Sequence, residues 1–246
     1  VVLSAADAVI WHDLECGFYS ADLALWREIS GPADTVLDIG AGSGRVALDL
    51  ARAGHRVTAL DLDAELLAAL HERAGELDVE TVCADARTFE LSSRDFALCL
   101  APMQTLQLLG GVAGRAKFLR SARAHLAPGG LLACAIVIDV DAFDCDAGDA
   151  GPSPETVRVD GVTYVSRATR VHVGRERMRI ERERSVLAPA LGSARPHLEY
   201  DVVELDRISV AQLQREGREV GLGAAGTRAI PATEEHTGSV AVMFRA

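Results

Sequence analysis

The spacing of apolar and polar positions changes three times along the chain. Residues 1–30 read as helical, with Leu14, Phe18, Leu23, Leu25, Trp26 and Ile29 supplying the apolar positions. Short, nearly continuous apolar runs then alternate with helical stretches. The runs at 35–39, 55–60, 79–83, 96–100 and 131–138 are predicted strands. Helices are predicted over 46–53, stopped by Gly54, over 63–74, and over 113–126, stopped by Pro128-Gly129-Gly130. Strands that are apolar throughout and alternate with helices imply a parallel sheet covered on both faces.

After residue 138 the alternation ends. Residues 139–154 are acidic and rich in Gly and Pro, which predicts a loop. From 156 to 187 the period becomes two, with turns at Asp160-Gly161 and Gly174, and 197–208 alternates again. Three or four antiparallel strands are expected here. A helix over 209–220 and strands near 227–230 and 239–244 resume the first pattern. The domain reading is therefore a helical segment at 1–30, a core formed by 31–138 with 209–246, and an inserted antiparallel β subdomain at 139–208.

Composition narrows the function classes. Among 246 residues, 49% are hydrophobic and 25% charged, which excludes a wholly disordered chain. That length buries a core without disulfide or metal staples. There are 36 acids against 25 basic residues, a net charge of −11, so general nucleic-acid binding is not expected. Lys117 is the only lysine. Cys16, Cys83, Cys99, Cys134 and Cys145 are scattered and form no CxxC pair, as in the reduced thiols of a cytoplasmic protein. No apolar run approaches the roughly 20 residues of a membrane helix, so no membrane partner is expected. Residues 1–10 lack the basic stretch of a signal peptide. The first residue is not Met, which leaves the natural start open.

The candidate chemistry begins at Asp38, where a predicted strand runs into Gly40-Ala41-Gly42-Ser43-Gly44-Arg45 and then a helix. Such a turn lets a ligand approach the main chain and faces it with a helix N-terminus. The dinucleotide pattern GxGxxG would need glycine where Arg45 stands, so the spacing disfavours a dinucleotide. Glycine turns of this kind also occur without a ligand. Asp61 ends the second strand, where a carboxylate can accept both hydroxyls of a ribose. A helix cap is the alternative, a role open to Asp61 or Asp63. Asp85 follows the third strand, within reach of an adenine amine or as a turn residue. Three acids at three successive strand ends make a stronger case than any one of them.

These residues resemble the motifs of class I S-adenosylmethionine-dependent methyltransferases, over about the whole chain. Asp38 with Gly40, Ala41, Gly42 and Gly44 resembles the first motif, Leu60-Asp61 the ribose-binding acid, and Ala84-Asp85-Ala86 the adenine segment. Residues 96–105 resemble the fourth motif region, and Leu126-Ala127-Pro128-Gly129-Gly130 the turn into the fifth strand. The resemblance implies S-adenosyl-L-methionine as cofactor, with Leu62, Ala86, Leu100 and Met103 as further contacts. It implies a Rossmann-like α/β fold with a seven-stranded sheet, order 3-2-1-4-5-7-6, strand 7 antiparallel, and an inserted antiparallel sheet after strand 5. The helical start and the insert resemble the small-molecule branch, of the glycine and aminosugar N-methyltransferase types. There the first 30 residues act as a lid, and the inserted sheet covers the acceptor or forms a homodimer. Trp11-His12-Asp13 stands where many relatives carry Tyr-Asp. The DPPY signature of amino-group methylation on nucleic acids or glutamine is absent, and Leu100-Ala101-Pro102-Met103-Gln104-Thr105 stands in its place.

A sulfonium methyl group is already electrophilic, so the protein must hold the acceptor in line and exclude water. A base is needed only where the acceptor arrives protonated. His12 and Tyr19 are the candidates, with a surface or structural role the alternative for His12. Gln104 is placed to orient the acceptor, or else to serve as a polar residue at a helix start. Asp139, Asp141, Asp144, Asp146 and Asp149 read as a solvated loop or as steering for a cationic amine. Their spacing does not fit a calcium loop, and no metal is expected. The arginines at 158–184 are interleaved with glutamates, which predicts cross-strand ion pairs rather than an RNA platform. The expected activity is methyl transfer to an N or O atom, and less readily a C atom, of a small-molecule acceptor. The alternatives are a binding protein for the same cofactor, or a non-methylating cyclase or decarboxylase type of enzyme.

Overall fold

The computed structural model describes residues 5–31, 33–187, 196–233 and 236–246. It contains two compact units. One comprises Tyr19–Asp139 with Ile208–Ala246, and the other the chain up to Phe18 with Val140–Arg207. The first 30 residues thus divide between the units. They form α1 (Ala5–His12), a π-helical turn over Asp13–Gly17, and α2 (Leu23–Ser30). The helix breaks before α2, where buried Asp22 is held by Trp26 Nε1 at 2.7 Å and by the Arg45 guanidinium.

The larger unit continues with β1 (Thr35–Ile39), α3 (Arg45–Arg52), β2 (Arg56–Asp61) and α4 (Ala64–Ala74). Then follow β3 (Val79–Cys83), β4 (Phe96–Ala101), α5 (Gly111–His125) and β5 (Leu126–Ile136). Val36, Leu37 and Ile39 are all wholly buried, although neighbouring residues in a strand point to opposite faces. Leu37 and Ile39 pack with Phe118 and Leu119 of α5. Val36 packs with Trp26, Val46, Leu50 and Leu70 of α2, α3 and α4. Helices on both faces are why the strands read as unbroken apolar runs.

The smaller unit contributes β6 (Phe143–Asp144), β7 (Glu155–Val159), β8 (Val162–Val173), β9 (Arg177–Leu187) and β10 (His197–Asp206). The chain then returns to the larger unit through α6 (Val210–Glu219), β11 (Gly223–Ile230) and β12 (Ser239–Arg245). The large sheet runs β3-β2-β1-β4-β5-β12-β11, with β12 antiparallel to both of its neighbours. Counted within this sheet, that is the expected order 3-2-1-4-5-7-6. Parallel pairing of β1 with β2 and β4, and of β2 with β3, brings the carboxyl ends of these strands to one edge.

The second sheet has five strands where three or four were expected: β10-β9-β8-β6, with β7 also on β8. The extra strand is β6, within residues read as loop. It is two residues long and gives no alternation to detect. Several arginines of this unit are paired, as with Arg184 to Glu15 at 2.7 Å, Arg182 to Glu155 at 3.1 Å and Arg177 to Glu204 at 2.9 Å. Arg170 takes up Asp144 and Asp146 of the acidic stretch. Among the described residues, no group of three or more His, Cys, Asp or Glu side chains is arranged to hold a metal ion. No described helix is long and apolar enough to cross a membrane.

Candidate functional site

The glycine loop leaves β1 in left-handed backbone conformations, with φ of +77° at Gly40, +54° at Gly42 and +100° at Gly44. Side chains rarely tolerate these values, which is the backbone reason for three glycines in five residues. The loop is fastened to the end of β2. Gly40 and Ala41 donate their N–H groups to the Leu60 carbonyl at 2.8 and 3.0 Å. Gly42 donates to Asp61 Oδ2 at 2.8 Å, and Asp63 N–H donates to Asp61 Oδ1 at 3.0 Å.

These contacts settle which acid caps α4. Asp63 is the cap, accepting from Glu65 and Leu66 at 2.9 and 3.2 Å. Asp61 is therefore spared from capping. Its carboxylate shapes the loop and stays half-buried at the strand edge. Each of its oxygens accepts one amide bond and retains further acceptor capacity.

Asp38 lies beneath the loop and is wholly buried. Neither carboxylate oxygen has a hydrogen-bond partner of ordinary geometry. Burial raises its pKa to about 7, against the downward pull of Arg45 and the Ala47 amide and with a further upward push from Asp61. An unsatisfied buried carboxylate at a strand end suits a site completed by a cation.

Arg45 stands where a dinucleotide loop would need glycine. Its guanidinium bonds Asp22 and the Tyr19 carbonyl, the latter at 2.9 Å, and lies 5.2 Å from the Tyr19 ring centroid. It therefore ties the start of α3 to the segment before α2. Tyr19 is buried and stacks on His236 at 4.5 Å, and burial raises its pKa. The remaining base candidate, His12, ends α1 and belongs to the other unit.

At the third strand end, Asp85 is bonded by the Arg87 guanidinium at 2.6 to 3.0 Å and by the Arg87 N–H at 2.8 Å. The Arg87 side chain holds its carboxyl below the usual range. This is a turn stabilised by a local pair. Leu62 is 69% exposed, an unusual value for leucine, whereas Ala86 packs partly against the core.

Near the end of β4, Leu100 is wholly buried among core neighbours and paired in the sheet on both sides. Met103 takes φ of +53°, a strained value for a non-glycine residue. Gln104 stands before the helical turn Thr105–Leu108 but makes no side-chain cap bond to it. Gln104 is thus the polar residue at a helix start that the sequence allowed, with its side chain not spent on capping. Two residues missed by the sequence reading hold this segment. Thr105 fills the space beside Gly40, and Gln107 is bonded to the main chain of Val137 just beyond β5. Their partners are remote in sequence and, for Gln107, are backbone atoms, so no motif marks them.

Comparison with known proteins agrees with this geometry. Residues 36–130 match the family model described as a methyltransferase domain. The cypemycin N-terminal methyltransferase of a Streptomyces species is 34% identical over 127 residues, 50% of this chain and 51% of the relative. A probable ribosomal RNA small subunit methyltransferase A of Methanosarcina acetivorans is 41% identical over 56 residues, 22% of this chain and 21% of the relative. The chain thus spans about half the length of the first of these curated relatives and about a fifth of the second. Among solved structures, CalS10 of Micromonospora echinaspora is an amino pentose methyltransferase of calicheamicin biosynthesis, seen bound to SAM. It superposes with a TM-score of 0.68 at 20% identity, covering 100% of this chain and 98% of that one. At that identity the likeness shows the fold.

Proposed function

From the premise that this chain carries a methyltransferase domain in the fold of the S-adenosylmethionine-dependent enzymes, we propose that it moves a methyl group from S-adenosyl-L-methionine to an amine nitrogen, or else an oxygen, of a small-molecule acceptor. The observation that carries this reading is the bond from Gly42 to Asp61, which joins the glycine loop and the strand-end acid into one receptor. The nitrogen preference is supported by the N-terminal and amino pentose methyltransferases that this chain resembles.

The residues fit the cofactor. Asp38 is a buried carboxylate whose oxygens lack a hydrogen bond of ordinary geometry, and its negative form attracts a cationic ligand. Asp61 is poised to accept ribose hydroxyls, and Leu62 and Ala86 to flank the base. Asp85 reaches the adenine amine only with the oxygen capacity that Arg87 leaves it. Gly40, Ala41, Gly42 and Gly44 let the main chain come close. Leu100 and Met103 lie at and just beyond the end of β4, which borders the reacting end. When bound, the cofactor supplies a methyl group on a positively charged sulfur. The chain's own work is then to orient and to exclude water. Gln104 orients the acceptor, and Tyr19 is the candidate within this unit to take a proton where the acceptor arrives protonated.

We place the protein in the cytoplasm, where its cysteines remain thiols. A homodimer through the inserted sheet is supported by β10, an edge strand exposing Leu198, Tyr200 and Val202 on one face.

The test is incubation with methyl-labelled S-adenosylmethionine and a panel of amino sugars and peptides with free N-termini. Label on one of these acceptors supports the reading. Cofactor binding without transfer to any acceptor would point to a binding protein or a non-methylating enzyme.

A further inference from the structure

The protein carries a net charge of −11, yet one flank of the larger unit is basic. Lys117, Arg120 and Arg123 project from the second half of α5, and Arg94 stands on the segment leading into β4. All four are exposed. Among the described residues none of the four forms a salt bridge, although Lys117 lies within electrostatic reach of Asp85. Two grooves follow this flank and share Arg120 and Ala124. One, of about 300 Å³, is lined by Lys117 and Arg120 of α5 and by Arg87 and Arg94 of the segment between β3 and β4. The other, of about 520 Å³, adds Arg123 and the apolar Leu126, Pro128 and Val220.

The helix dipole favours cations in the last turn of α5, which accounts for Arg123. It does not account for Arg94 on the other segment. Arg87 is already bonded to Asp85, and among the described residues Glu90 is the one acidic side chain lining either groove, while Ala246 also borders the second. The surplus is therefore positive, and it is contributed by two separate chain segments.

The floor decides what fits. Phe89 and His125 line it, but both are buried and stacked on each other at 4.6 Å, so no aromatic face is open to a base. A nucleic acid would also meet a negative surface beyond the patch. Hydroxyls from Thr88 and Ser121, cations from both segments and an apolar continuation suit carboxylates interspersed with apolar side chains. From Lys117 to Ala124 the helix rises about 10 Å, the span of about three extended residues, and the second groove lengthens the track.

We infer that this flank of α5 docks an acidic polypeptide segment. The inference goes beyond the proposed methyl transfer and stands without it, because no residue of the track belongs to the glycine-loop site.

The probe is a fluorescein-labelled peptide rich in Glu and Leu, titrated with the full chain at low salt and followed by anisotropy. Saturable binding is expected, weakened at least about tenfold by Lys117→Glu with Arg120→Glu, and separately by Arg94→Gln on the other segment. Arg158→Glu, a charge reversal in the other unit, should leave it unchanged. Thermal unfolding of each variant shows that the loss is not one of folding. Failure of the peptide to bind, or binding untouched by either segment's variants, overturns the inference. So does equal binding of a neutral peptide, tighter binding of an RNA oligonucleotide of the same charge, or displacement by an equimolar amount of inorganic phosphate.

Discussion

Gln107 meets the main chain of Val137 with both ends of its amide, Nε2 donating to the carbonyl at 3.1 Å and Oε1 accepting from the N–H at 2.7 Å. This pair ties the segment after β4 to the exit of β5, two strand ends that border the candidate site. Gln107→Leu keeps a similar volume and leaves both Val137 groups buried and unpaired. A stability loss of about 2–4 kcal/mol is expected in urea unfolding. A loss below about 1 kcal/mol would show that the bridge is dispensable.

Gly40 and Thr105 form a second tie. A Cβ at Gly40 would lie 2.5 Å from Thr105 Oγ1, and φ there is +77°. Gly40→Ala should cost at least about 2 kcal/mol, part from the left-handed backbone and part from the collision. Thr105→Ala in the same chain should recover the collision part and not the backbone part. A double-mutant cycle measures this, and strict additivity of the two changes would refute the steric account.

Much of this was legible in the sequence because the larger unit buries both faces of its sheet. The strand at Thr35–Ile39 was read at its observed bounds, since Gly31 and Gly40 flank a short run that is apolar but for Thr35 and Asp38. β5 begins five residues earlier than expected because Ala127-Pro128-Gly129-Gly130 reads as a turn. The chain stays extended there through a bulge, with Phe96 opposite Leu126 and Leu98 opposite Leu131. β11 begins early for a related reason, as Gly223 to Gly226 offers no apolar alternation. The strand-end acids were visible as a set, but the division of labour between Asp61 and Asp63 was not. Which of two nearby carboxylates caps a helix depends on backbone angles. The Arg45–Asp22 lock joins residues 23 apart and leaves no trace in periodicity.

Asp38 makes stability depend on pH. Its pKa rises from 3.8 to about 7 on burial, so the native state holds the proton more tightly than the unfolded chain. The stability this contributes is complete below about 3.8 and declines as pH rises toward about 7. Asp38→Asn removes that decline. The variant should gain on the wild type by up to about 1.4 kcal/mol per pH unit across this window, read from urea unfolding at stepped pH. A difference that does not vary with pH would mean that Asp38 does not titrate there. The same variant should bind a cationic ligand more weakly, because the attracting charge is gone.

The account turns on Asp61 and the glycine loop receiving S-adenosylmethionine, and isothermal titration calorimetry tests that most directly. Titration into the wild type should show one site, and Asp61→Asn should weaken it about 10- to 100-fold, the effect of losing hydrogen bonds to a charged acceptor. No binding to the wild type, or equal affinity in the two proteins, would contradict it.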